Sequence, residues 1–121
     1  ALENKSLFEQ FDGIFADGAL LASAIRLVYG KRVTRRSFDM TSLAPELLNY
    51  LMESRKTLYI VASGQEQVEC SVRIFQEQYP ELRIAGFRNG YFSSDAEMNK
   101  EASHIVELNP DFLIVGMGAL M

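Results

Sequence analysis

Thr57-Leu-Tyr-Ile-Val-Ala62, followed at once by Ser63-Gly64-Gln65-Glu66, decides the fold class. The six-residue run is too short for a helix of ordinary length and is rich in strand formers. The Ser-x-x-Glu spacing behind it reads as a capping box that opens a helix. Val68, Val72, Phe75 and Tyr79 then form one helical stripe, which Pro80 ends. Downstream the alternation repeats. Arg83-Ile-Ala-Gly-Phe87 reads as a short strand, and Ser94 to Glu97 as a second capping box. The helix it opens turns Met98, Ala102, Ile105 and Val106 inward, and Asp111-Phe-Leu-Ile-Val-Gly116 is the last strand. Three largely apolar strands separated by helices predict an α/β fold, a Rossmann-like parallel sheet with helices on both faces.

Upstream, Leu20, Ala24 and Val28, with Leu21 and Ile25 beside them, predict a helix over residues 18–29 that stops at Gly30. Leu43, Leu47, Leu48 and Leu51 mark another, with Ser42 as N-cap and Pro45 tolerated in its first turn. Leu2 to Phe11 reads as a further helix, and Gly13 to Ala16 as a short strand.

Composition narrows the function. The chain has 121 residues, 12 of them Lys or Arg and 16 Asp or Glu, so its net charge of −4 argues against a nucleic-acid binder, which needs a basic field. With 48% hydrophobic and 23% charged residues it is an ordinary globular chain, and its length fits a single α/β domain over residues 1–121. A single cysteine, Cys70, allows no internal disulfide and no zinc cluster, which fits a reducing compartment. No apolar run approaches the roughly 20 residues of a membrane-spanning helix. The chain starts without Met and stops just after a glycine turn, so it is expected to be a piece of a longer protein.

Glycines cluster where the strands end: Gly64, then Gly86 and Gly90, then Gly116 and Gly118. In open parallel sheets ligands bind beyond the carboxyl ends of the strands, where helix N-termini offer amides to anions. Any one of these glycines could simply make a tight turn; together on one edge they favour a phosphate-containing small ligand. Asp17-Gly18 lies between a short apolar stretch and a helix, so Asp17 is either an N-cap or a general base on the same edge. Lys31, Arg32, Arg35 and Arg36 are either a solvated loop or a diphosphate clamp. Tyr91-Phe92 can pack in the core or stack on a base or sugar ring. His104 and Cys70 have no partners in the sequence that would make a ligand or a nucleophile of them. No motif of a serine hydrolase, zinc protease or P-loop enzyme is present.

In order, these segments resemble the bacterial WecG/TagA/CpsF glycosyltransferase family. The resemblance is carried by Gly13-Ile-Phe-Ala-Asp17-Gly18, Arg36-Ser-Phe-Asp39, Tyr79-Pro-Glu-Leu-Arg-Ile-Ala-Gly86, Gly90-Tyr91-Phe92 and Asn109-Pro-Asp-Phe-Leu-Ile-Val-Gly-Met-Gly118-Ala119. It implies a transfer of N-acetylmannosamine or a related N-acetylated hexose from a UDP-sugar to a polyprenyl-diphosphate-linked sugar, by inverting single displacement, in cell-envelope polysaccharide synthesis. Asp17 matches the family's catalytic base. Gly86, Gly90 to Phe92 and Gly116 to Ala119 match its nucleotide-sugar pocket, and Arg36 and Asp39 its Arg and Asp segment. Phe38 stands where the family more often has glycine, and Leu120-Met121 where many members have Pro-Lys.

The resemblance further implies no metal and no cofactor, and a cytoplasmic enzyme peripheral to the inner face of the cell membrane. It makes residues 1–121 the central part of a catalytic core, inactive when isolated and prone to form a homo-oligomer through apolar surface left uncovered. The alternative from a different class is a non-catalytic Rossmann-like nucleotide-binding module. The two differ in whether loss of Asp17 costs turnover or affinity.

Overall fold

The computed structural model describes residues 5–12, 19–32 and 43–117. They fall in two compact units, Ala1–Glu46 and Leu47–Met121. The first holds α1 (Lys5–Phe8) and α2 (Ala19–Tyr29). Gly30, at φ 66°, ends α2 by donating its N–H to the Arg26 carbonyl over 3.0 Å, the left-handed stop expected of a glycine there. The helix thus runs as the spacing of Leu20, Ala24 and Val28 predicts.

α3 (Leu43–Glu53) leads into the second unit, which continues β1 (Thr57–Ala62), α4 (Gln65–Gln78), β2 (Arg83–Arg88), α5 (Asp95–Leu108) and β3 (Phe112–Gly116). The three strands form a parallel sheet in the order β2-β1-β3. β1 is therefore central and buried on both faces, which is why its sequence is an unbroken apolar run. Leu58 and Ile60 point to one face, where Val68 and Val72 of α4, Leu48 and Leu51 of α3, and Leu82 close the core. Leu48, Leu51, Leu58 and Val68 are almost wholly inaccessible, each contributing about 1.5–3 kcal/mol by leaving water. Phe75 and Tyr79 complete the α4 stripe at its margin, as the spacing predicts.

The chain moves one way across the sheet from β1 to β2, then back past β1 to β3. Right-handed crossovers therefore put α4 and α5 on opposite faces. Tyr59, alternate to Leu58 and Ile60, meets α5: its hydroxyl donates to Glu101 and its ring meets His104 edge-on at 6.4 Å between centroids. The α/β class with helices on both faces is thus as the sequence predicts.

Three local expectations are corrected. Ser63 does not cap α4: it adopts φ 56° and passes the N-cap to Gly64, which makes no side-chain cap bond. The stripe expected inward on α5 is not buried. Met98 is 43% and Val106 76% exposed, because α5 meets the sheet mainly through polar side chains. Gly86, grouped with the glycines where the strands end, lies two residues inside the end of β2.

The register of β2 against β1 slips once. Leu58 pairs with Ile84, but Tyr59 pairs with Gly86, so Ala85 is a one-residue bulge. At the N-terminal edge of the sheet, Asp111 joins β3 to β1. Its carboxylate accepts from the Thr57 N–H at 2.9 Å and the Thr57 hydroxyl at 3.3 Å, while its own N–H donates to that hydroxyl at 3.0 Å. The Thr57 donors hold the Asp111 carboxyl below the usual carboxylate range.

Candidate functional site

The strand order reverses between β1 and β3, and in open parallel sheets the crevice beyond such a reversal is where ligands sit. A cavity of about 270 Å³ opens there, lined by Ser63, Gly90, Tyr91, Gly116 and Met117. Its floor is backbone. Ser63 leaves β1 in the left-handed region and makes two backbone bonds across the sheet edge, one as acceptor and one as donor. The Gly90 N–H donates to its carbonyl at 2.9 Å, and its own N–H donates to the Gly116 carbonyl at 3.4 Å. Only small residues fit this weave. A Cβ on Gly90 would lie 2.9 Å from Met117 Cγ, and one on Gly116 would lie 3.2 Å from Ala62 Cβ. Gly64 starts α4 beside this edge without a side-chain cap bond, and the Gln67 side-chain amide lies against it.

The loop after β2 is tied on both sides. Asn89 accepts from the Tyr91 N–H at 3.0 Å and donates to Gln65 of α4 at 2.8 Å. From the other side, Arg88 donates to the Tyr91 carbonyl at 3.3 Å and lays its guanidinium over the Phe92 ring, 4.1 Å from the centroid. The Tyr91 side chain is left 75% exposed at the cavity. Tyr91 and Phe92 thus separate: Phe92 is held by Arg88, and Tyr91 is free to stack on a planar ring.

Arg88 also pairs with Glu97 at 2.6 Å and with Glu101 at 3.6 Å. Glu97 accepts from the Ser93 hydroxyl and the Ser93 N–H, both at 2.6 Å. These Ser93 donors, with Arg88, pull its carboxyl down to about 2. Burial and the bond to Glu101 push the Tyr59 hydroxyl up to about 12, so it stays protonated and keeps donating. A larger cavity, about 500 Å³, runs along the flank of α5 past Arg88, Glu97, Glu101 and His104. Two of its acids, Glu97 and Glu101, are engaged with Arg88 and Tyr59, and it lies along α5 rather than at the β1/β3 reversal.

Of the residues singled out in the sequence, the structure brings Gly64, Gly90, Tyr91 and Gly116 to one edge, with Phe92 packed behind it. Gly86 is elsewhere. Its missing side chain accommodates the Tyr59 ring, whose Cε2 would lie 2.6 Å from a Cβ. Asp17, Gly18, Arg35, Arg36, Asp39 and Gly118 lie outside the described residues. Sequence reasoning missed Ser63 as a lining residue and Arg88, Asn89 and Glu97 as its supports. The signal for Glu97 was present, since the Ser-x-x-Glu spacing places it at the start of α5. Among the described residues no group of three or more His, Cys, Asp or Glu side chains could hold a metal ion. Nor is any helix among them long and apolar enough to cross a membrane.

Two curated relatives are similar to this chain in sequence. One is the UDP-Gal:alpha-D-GlcNAc-diphosphoundecaprenol beta-1,4-galactosyltransferase of Shigella boydii, 30% identical over 109 residues, covering 90% of this chain and 46% of the relative. The other is the N-acetylglucosaminyldiphosphoundecaprenol N-acetyl-beta-D-mannosaminyltransferase of Bacillus subtilis (strain 168), 23% identical over 114 residues, covering 91% of this chain and 43% of the relative. The chain spans less than half the length of either. The sequence profile of the glycosyl transferase WecG/TagA/CpsF family matches residues 3–120, and with nearly its whole length matched, the chain belongs to that family.

Proposed function

We propose that these residues form the central part of a catalytic core that transfers a hexose from a UDP-sugar to a polyprenyl-diphosphate-linked sugar. The observation that carries this reading is the cavity at the β1/β3 reversal, floored by Ser63, Gly90 and Gly116 and flanked by the exposed Tyr91 ring. A planar base can stack on Tyr91, while a diphosphate can meet amides at the start of α4.

The two relatives' names agree on the acceptor, GlcNAc on diphosphoundecaprenol, and differ in the sugar delivered. The acceptor is therefore the better supported half of the assignment, and such a lipid would place the enzyme at the inner face of the membrane. An N-acetylated, mannosamine-like donor is the expectation from the family, with galactose the competitor to test.

In the inverting step, Asp17 takes the proton of the acceptor hydroxyl as its oxygen bonds to the anomeric carbon. The bond from that carbon to the diphosphate breaks, and UDP leaves with the electron pair. Amides of the strand-end turns, with Arg35 and Arg36, would stabilise the charge growing on the diphosphate.

A melting curve tests the donor site. UDP at a hundredfold excess over its dissociation constant should stabilise the chain by about 2.7 kcal/mol. Uridine should do much less, and Arg35→Ala with Arg36→Ala should weaken UDP more than uridine. In the intact enzyme, Asp17→Asn should keep the UDP shift and lose transfer. No shift with UDP, or equal shifts with UDP and uridine, would refute a diphosphate-binding edge.

A further inference from the structure

We infer that Glu97, acting with Arg88, is a positioning residue that sets the 90–93 loop and through it the mouth of the cavity. This inference rests on the donor-site reading above. Three consecutive loop residues end on this one ion pair. The Tyr91 carbonyl accepts from Arg88 at 3.3 Å, the Phe92 ring lies 4.1 Å beneath the Arg88 guanidinium, and the Ser93 N–H and hydroxyl both reach Glu97 at 2.6 Å.

Capping of α5 does not require this arrangement. Ser94 already caps the helix, its hydroxyl accepting from the Glu97 N–H at 3.2 Å. In a capping box the Glu side chain would return to the N-cap N–H; here it reaches one residue further back, to Ser93, and takes Arg88 on its other oxygen at 2.6 Å. Opposite this clamp, Gly90 donates to Ser63 at 2.9 Å and Asn89 donates to Gln65 at 2.8 Å. The loop is thus held at its start by β1 and α4 and at its end by Glu97. What remains unheld is the Tyr91 side chain, 75% exposed where a ligand would meet it.

The test separates positioning from capping. Glu97→Ala, and the gentler Glu97→Gln, should speed hydrogen exchange at the Tyr91 and Ser93 amides, leave α4 and β1 amides unchanged, and weaken UDP about tenfold. Ser94→Ala, which breaks the cap, should lower Tm and leave UDP affinity alone. Glu101→Gln removes a carboxylate beside Arg88 that does not touch the loop, and should leave the loop amides alone. UDP affinity unchanged in both Glu97 variants, or lowered equally by Ser94→Ala, overturns the positioning role. Loop amides unmoved by either Glu97 change overturn it alone, with the donor site intact. A wild-type chain that binds no UDP although Glu97→Ala frees the loop overturns the donor-site reading, and the positioning role with it.

Discussion

Gly86→Ala should destabilise the fold without touching a ligand. Gly86 sits in β2 at an ordinary extended φ, so alanine meets no backbone strain there. The added Cβ would fall 2.6 Å from Tyr59 Cε2 and 3.1 Å from Cδ2, whereas carbon atoms sit comfortably at about 3.5–4.0 Å. Tyr59 cannot swing aside easily. It is only 3% exposed, its hydroxyl is bonded to Glu101, and His104 stands against its ring. Forcing a carbon into such a site costs about 1–3 kcal/mol, a fall in Tm on the order of 5–10 °C for a domain of this size. Thermal unfolding of Gly86→Ala, Tyr59→Leu and the double variant closes a cycle. Without the ring, the alanine should cost little. An unchanged Tm, or the same loss in both backgrounds, would refute the packing role, and weaker UDP binding at unchanged Tm would return Gly86 to the ligand site.

Two further outcomes follow from the helix ends. Asn109 closes α5 in the left-handed region at φ 48°, its N–H on the Ile105 carbonyl, so Asn109→Ala should cost about 1 kcal/mol and Asn109→Gly next to nothing in denaturant melts; equal losses would refute the backbone account. The Glu97 carboxyl, drawn from 4.5 to about 2 in the folded chain, contributes stability that is complete above pH 4.5 and drains away as the pH falls toward 2. Wild type should therefore lose Tm more steeply than Glu97→Gln across that window, and parallel curves would show that the pairing does not survive in solution.

Much of the fold was legible because burial writes itself plainly into sequence. β1 reads as an unbroken apolar run since both its faces are covered, and α4 shows its stripe since one side packs on Leu58 and Ile60. α5 was legible as a helix but not in its orientation. Periodicity locates the apolar stripe of Met98, Ala102, Ile105 and Val106, yet says nothing of what meets it. Ser63 misled for a related reason: serine is a common N-cap, and its left-handed backbone is set by the bonds to Gly90 and Gly116, which no local pattern encodes. The glycine-bearing edge was visible as a set of strand-end turns. Of its supports, Glu97 was visible only as a capping-box position and Arg88 not at all, because their pairing joins the end of β2 to the start of α5 across the intervening loop.

The bulge at Ala85 acts as a change of parity within one strand. Ahead of it, Ile84 keeps step with Leu58 and belongs to the core; behind it, Gly86 and Arg88 keep step with Tyr59 and Val61 and belong to the opposite face. Strict alternation from Ile84 would have sent the Arg88 guanidinium into the apolar side, away from Glu97 and Phe92. One looped-out alanine lets the first half of β2 answer to hydrophobic packing and the second half to the polar machinery beyond it. The two halves can then accept substitutions under separate constraints, and deleting that single residue would leave Gly86 opposite Tyr59 and Arg88 opposite Val61 in an unbroken ladder.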